Sequence, residues 1–219
     1  MYPAGFIFDM DGLLVDTERF WQQAEIEVFR RMGVTLTAAD CELIMGLRCD
    51  EVDKIWQRQF HLDLDARLVV ADIEDEVIAR ARANSQLMRG VPEILDLAER
   101  LGIRRSVCSS SSARVIDGVL RSAGIIDRFE LLVSAEREAF GKPHPAVYLT
   151  ALQGLNLSNH QAIVFEDSIH GIVAAKAACL RVVAVPCLLP KLDRRFGIAD
   201  AVVDSLIEVN EKWLHNFYS

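Results

Sequence analysis

The sequence lacks the features that mark membrane and secreted proteins. No apolar run approaches the ~20 residues that span a bilayer. The first residues lead directly into a short apolar stretch, with neither a basic segment nor a cleavage site ahead of it. We therefore expect no membrane anchor, no secretion signal and a cytoplasmic location.

Cysteine is scarce and scattered. The chain has 5 cysteines, an odd number, and none of them forms a Cys-x-x-Cys pair. Disulfide frameworks and structural zinc sites both depend on regular cysteine spacing. The pattern instead indicates reduced thiols, and it argues against a zinc site.

Clusters of positive charge are also missing. The chain has 24 basic and 32 acidic residues, a net charge of −8, and no block of lysine or arginine. This balance argues against nucleic acid or an anionic membrane as the main partner. A bound phosphate remains compatible with it, because local cations and helix N-termini can supply a positive field.

What the chain does contain is a regular alternation of strand and helix patterns. Gly5–Phe8 is apolar throughout and predicts a buried first strand. Later strands are predicted at 104–108, 129–133, 162–165, 182–185 and 201–203, and helices at 92–101, 112–123, 145–152, 169–178 and 205–214. Such alternation predicts an α/β fold with a doubly wound parallel sheet.

A block without strand patterns interrupts this order. Helical patterns are predicted at 17–33, 37–45, 50–60 and 66–83. We therefore predict two domains. An α/β core comprises residues 1–16 and 86–219, and a helical domain of residues 17–85 is inserted after the first strand.

Polar side chains follow four of the predicted strands. They are Asp9 and Asp11 after the first, Ser109 and Ser110 after the second, Lys142 after the third, and Glu166 and Asp167 after the fourth. The carboxyl ends of parallel strands share one edge of a sheet, where ligands bind in open α/β folds. Carboxylates suit Mg²⁺, and a lysine with a hydroxyl suits phosphoryl oxygens. Together they predict a phosphoryl group held beside Mg²⁺.

Each of these residues alone also has a plain structural interpretation. The serine run is typical of a helix N-cap, which we expect of Ser111 or Ser112. Lys142 could be a solvated surface lysine, and Ser168 is expected to cap the helix after Asp167. The functional interpretation depends on all four strand ends carrying the required chemistry.

These motifs resemble the haloacid dehalogenase superfamily of phosphotransferases, over the whole chain. The first motif is Asp9-Met10-Asp11-Gly12 and the residues up to Glu18, and the later motifs match Ser109, Lys142 and Glu166-Asp167. The helical insertion is similar to the cap of the β-phosphoglucomutase-like branch. Residues 16–25, Gly46-Leu47-Arg48 and 141–149 resemble bacterial 2-deoxyglucose-6-phosphate and hexitol phosphatases.

The resemblance implies a role for each site residue. Asp9 would be the nucleophile that forms an aspartyl-phosphate, and Asp11 the general acid–base. Ser109, the residue 110 backbone and Lys142 would bind phosphoryl oxygens. Mg²⁺ would be held by Asp9, the Asp11 carbonyl, Asp167 and Glu166.

Two residues of the insertion are candidates for contact with the leaving group. Arg48 could reach the substrate or be a surface arginine, and Trp21 could stack on a sugar or belong to the core. The expected substrate is a small sugar or sugar-alcohol phosphate, such as a hexose 6-phosphate, and the expected state is a monomer.

Two other functions remain open. A phosphohexomutase would return the phosphoryl group to a sugar, although β-phosphoglucomutases carry a histidine near the position of Trp21. A phosphate-responsive receiver domain also clusters acids, a hydroxyl and a lysine around Mg²⁺. Receivers are shorter and lack the insertion and the Asp11 acid–base.

Overall fold

A six-stranded sheet forms the centre of the molecule. The computed structural model describes residues 2–37, 40–41, 55–56, 58, 66–187, 190 and 193–218. The strands are β1 (Gly5–Phe8), β2 (Arg104–Ser109), β3 (Leu131–Ser134), β4 (Ala162–Glu166), β5 (Arg181–Ala184) and β6 (Ala201–Val202).

All neighbouring strands are parallel, and their order is β3-β2-β1-β4-β5-β6. The register pairs Phe8 of β1 with Val107 of β2 and with Phe165 of β4. β1 is therefore central, and the residues after it emerge between the ends of β2 and β4. The predicted doubly wound α/β fold is confirmed.

Helices connect the strands. Those whose ends are described are α1 (Glu18–Arg31), α2 (Ala66–Asn84), α3 (Val91–Arg100), α4 (Ala113–Ser122), α5 (Ala146–Gly154), α6 (Ile169–Ala177) and α7 (Glu211–Tyr218). Serine hydroxyls begin two of them, because Ser112 accepts from the Val115 N–H and Ser168 from the Gly171 N–H. No α-helix among the described residues is long and apolar enough to cross a bilayer.

Both faces of the sheet are buried. Phe6 and Phe8 point to one side, where each ring lies 5.1 Å from the ring of Phe165. Ile7 and Val164 belong to a second apolar cluster on the other side. This alternation follows from the two-residue period of a strand, which places successive side chains on opposite faces of the sheet.

The chain leaves and re-enters the sheet region at two adjacent crossings. The Asp16 N–H donates to the Gln86 carbonyl at 3.0 Å, and the Met88 N–H donates to the Leu14 carbonyl at 3.0 Å. Between these crossings lie α1 and α2. We call residues 17–85 the inserted helical segment, after these two helices that the structure describes within it.

Two predicted elements begin two or more residues later in the structure. β3 begins at Leu131 rather than at 129, because a 3-10 turn at Ile126–Arg128 delays the strand. The closing helix begins at Glu211 rather than at 205, after a separate 3-10 turn capped by Ser205. In both places the residues in or just after a short 3-10 turn continue the apolar pattern of the next element. The sequence therefore predicts that the element begins too early.

Candidate active site

The strand ends bring the predicted polar residues to one edge of the sheet. Asp9 follows β1, Ser109 ends β2, Glu166 ends β4, and Asp167 follows it. Lys142 reaches the same place from the loop between β3 and α5. All five side chains are buried. Because its side chain is buried, Lys142 is not a solvated surface lysine.

Lys142 connects two of the acids. Its Nζ donates to Asp9 Oδ1 at 2.6 Å, to Glu166 Oε1 at 2.6 Å and to the Cys108 carbonyl at 3.0 Å. Burial alone would lower the pKa of Lys142, but Asp9 and Glu166 raise it well above its usual value. The lysine is therefore a fixed positive charge beside the candidate nucleophile.

The acids outnumber this cation. Oxygen atoms of Asp9, Glu166 and Asp167 lie within 4.8 Å of one another. Burial raises the pKa of Asp9 to about 8, although Lys142 opposes the shift. Burial and the charge of Asp9 also raise the pKa of Asp167 well above its usual range. The cluster is thus short of positive charge when its carboxyl groups are ionised.

This donor set fits a magnesium ion. Asp167 Oδ2 is buried and has no hydrogen-bond partner among the described residues. An unpartnered carboxylate oxygen in a buried site is costly unless a cation accompanies it. Mg²⁺ is a hard cation that prefers oxygen ligands. Asp9 and Asp167 are the residues best placed to hold it.

Glu166 differs from Asp167 because four protein donors surround it. Lys142 and the Tyr148 hydroxyl each donate to Oε1 at 2.6 Å. The Ser168 N–H and hydroxyl donate to Oε2 at 3.1 and 3.0 Å. A Cβ atom on Gly171 would lie 1.7 Å from Oε1, so the first turn of α6 closes directly over the carboxylate. Glu166 therefore anchors Lys142 firmly.

Asp11 has a different environment. Thr17 Oγ1 and Trp21 Nε1 donate to its Oδ1 at 2.6 and 2.9 Å. Ser109 and Ser111 hydroxyls donate to its Oδ2 at 3.1 and 2.7 Å. All four donors are neutral, in contrast to the ammonium group on Asp9. The two aspartates of the first motif are thus suited to different tasks.

Several residues were missed by the sequence reasoning. Ser112 caps α4 as expected. For Ser111 only a place in the loop or a cap was expected, but its hydroxyl donates to Asp11. Tyr148 supports Glu166 from α5, with no sequence signal beyond its position near Lys142. Glu18 lies next to Gly12 and Asp167, and burial and the nearby aspartates raise its pKa to about 8.

Three further residues were predicted to bind the substrate: Trp21, Ser110 and Arg48. Trp21 contacts Asp11 through its indole nitrogen, and Ser110 lies half-buried beside Ser109. Arg48 lies outside the described residues, so its contact with a substrate stays a prediction.

Comparison with known proteins gives a consistent set of relatives. A model of the haloacid dehalogenase-like hydrolase family matches residues 6–185. Hexitol phosphatase B of Escherichia coli (strain K12) is 35% identical over 212 residues, which cover 94% of each chain.

Solved structures agree with this similarity. CbbY from Rhodobacter sphaeroides, in complex with phosphate, is 25% identical with a TM-score of 0.89, covering 97% of this chain and 99% of that one. β-Phosphoglucomutase from Clostridium difficile is 22% identical with a TM-score of 0.87, covering 99% and 97%. The latter similarity concerns the fold alone.

The contact between Gly171 and Glu166 can be tested by mutation. Gly171→Ala places a methyl group where the Glu166 carboxylate lies, and we expect a loss of about 1–3 kcal/mol in the free energy of unfolding. Urea denaturation measures the loss. Gly197→Ala is the control, since its added Cβ meets nothing within 4 Å. Equal stability of the two variants would contradict the packing described.

The raised pKa values predict how Mg²⁺ stabilises the protein. With folded-state pKa values near 8 for Asp9 and Glu18, above those of the unfolded chain, the metal-free fold binds extra protons. Its stability should therefore fall as the pH rises from about 4 to 8. A Mg²⁺ ion held by the ionised acids should therefore raise the melting temperature more at pH 8 than at pH 6.

Thermal denaturation with and without Mg²⁺ at both pH values measures this effect. Asp167→Asn should lose most of it, whereas Asp96→Asn, on an exposed ion pair with Arg128, should retain it. A magnesium effect independent of pH would show that these acids do not hold protons in the metal-free protein.

Proposed function

Since this chain belongs to the haloacid dehalogenase-like hydrolase family, we propose that it is a Mg²⁺-dependent phosphatase acting on small sugar or sugar-alcohol phosphates. The observation that carries the proposal is the pair of unlike aspartates, Asp9 held by an ammonium group and Asp11 held by neutral donors. The 35% identity to hexitol phosphatase B supports the substrate class.

Asp9 acts as the nucleophile. Lys142 orients its carboxylate and favours the ionised form, which is the reactive one. A carboxylate oxygen of Asp9 forms a bond to phosphorus while the bond from phosphorus to the sugar oxygen breaks. The product of this first step is an aspartyl-phosphate and a free alcohol.

Asp11 moves the proton in both steps. It donates a proton to the departing sugar oxygen, then takes one from the water that attacks phosphorus and releases Asp9. Proton transfer of this kind contributes roughly 10²–10⁴-fold to the rate. Inorganic phosphate leaves, and both aspartates return to their initial states.

The other site residues bind and neutralise the phosphoryl group. The Ser109 hydroxyl donates to its oxygens, and the Lys142 ammonium group, whose three protons reach Asp9, Glu166 and the Cys108 carbonyl, attracts them through its charge. Asp9 and Asp167, with the Asp11 carbonyl and Glu166 nearby, would hold a Mg²⁺ ion, which would offset repulsion between the anionic nucleophile and the anionic substrate. The inserted helical segment acts as a cap that excludes water and contacts the leaving group.

Phosphate release from hexose 6-phosphates and hexitol phosphates tests the proposal. Asp9→Asn should lower kcat on the order of 10³-fold or more, because the amide is a poor nucleophile. Asp96→Asn should turn over like the unaltered protein, and EDTA should abolish its activity too. Wild-type turnover by Asp9→Asn would refute the aspartyl-phosphate route.

A second assay separates hydrolysis from mutase activity. Incubation with β-glucose 1-phosphate should release inorganic phosphate if water accepts the phosphoryl group. Formation of glucose 6-phosphate without free phosphate would instead identify a phosphohexomutase. A long-lived phosphorylated Asp9 without repeated turnover would point to a phosphate-responsive protein.

A further inference from the structure

We propose that Trp21 is a positioning residue for Asp11, and that its indole N–H anchors the carboxyl group while that group exchanges a proton with the leaving oxygen. The inference rests on the proposed function and deepens it. It assigns the indole nitrogen a task that differs from stacking of the ring on a sugar.

The contacts of Asp11 divide between two parts of the protein. Its Oδ1 accepts from Trp21 on α1 and from Thr17 directly before that helix. Its Oδ2 accepts from Ser109 at the end of β2 and from Ser111 in the loop that follows. One oxygen is therefore tied to the inserted helical segment and the other to the core.

Substrate binding affects these two oxygens differently. A hydroxyl group has a single proton to donate. If Ser109 donates it to a phosphoryl oxygen, Asp11 Oδ2 loses that donor and gains room to face the leaving oxygen. Oδ1 keeps both of its donors, so the carboxyl group stays in place.

An indole is well suited to this anchoring role. Its Nε1–H is only a donor, so it cannot take the proton that Asp11 must deliver. The ring of Trp21 also packs against the main apolar cluster, which limits its rotation. The N–H is therefore directed at Asp11 before substrate arrives, and it does not compete in the proton transfer.

The test compares leaving groups that need a proton with one that does not. Alkyl phosphates such as hexose 6-phosphates require protonation of the departing oxygen, whereas p-nitrophenyl phosphate releases a stable phenolate. Trp21→Phe keeps an aromatic ring at this position, smaller than the indole, and removes the N–H. We expect the ratio of kcat/KM for the alkyl substrate to kcat/KM for the aryl substrate to fall about 10-fold or more, since kcat/KM reports the steps up to release of the leaving group and omits the attack of water that both substrates share.

Trp213→Phe is the matched control, because Trp213 stacks on Phe217 with ring centroids 4.7 Å apart on α7. Its ratio should equal that of the unaltered protein. An equal loss on both substrates in Trp21→Phe would show a merely structural role and would overturn the proposal.

A second readout does not depend on activity. The 3 tryptophans should give three indole N–H resonances in a ¹⁵N-labelled sample, and the one missing from Trp21→Phe belongs to Trp21. Asp11→Ala should shift that resonance more than the other two. An unshifted resonance would overturn the hydrogen bond, whereas an unaltered protein that hydrolyses neither phosphate would refute only the proposed function.

Discussion

The active-site edge depends on the ammonium group of Lys142. It lies almost fully buried between Asp9 and Glu166 and bonds to both at 2.6 Å. Removing it would leave carboxylates facing one another in a medium that screens charge poorly. Tyr148 and Ser168 in turn hold Glu166. The lysine thus places the candidate nucleophile and links the ends of β1 and β4.

The same arrangement gives two nearby aspartates unequal chemistry. Asp9 shares its surroundings with other acids and a fixed cation, so its charge state is coupled to any cation that enters. Asp11 receives only neutral hydrogen bonds, from Thr17, Trp21 and two serines. These neutral donors fix the orientation of the Asp11 carboxyl group without placing a cation against it, in contrast to Lys142 on Asp9.

The sequence predicts the sheet and most of the site, because both depend on local patterns. Apolar runs ending in polar residues locate the strand ends, and parallel strands bring those ends together. The contacts of Tyr148 and Ser111 could not be predicted, since they depend on packing between distant segments. Likewise, the sequence places Trp21 next to Phe20 on a predicted helix, but it does not reveal where the indole nitrogen of Trp21 points.

The two crossings between sheet and inserted helical segment have a mechanical consequence. Leu14 and Asp16 exchange backbone hydrogen bonds with Met88 and Gln86, so the two connecting chains form a short antiparallel ribbon. A paired ribbon resists sliding, because any slip breaks both bonds at once, but it bends and twists readily. Slippage of this ribbon would also displace Thr17, which directly follows Asp16 and donates its hydroxyl to Asp11.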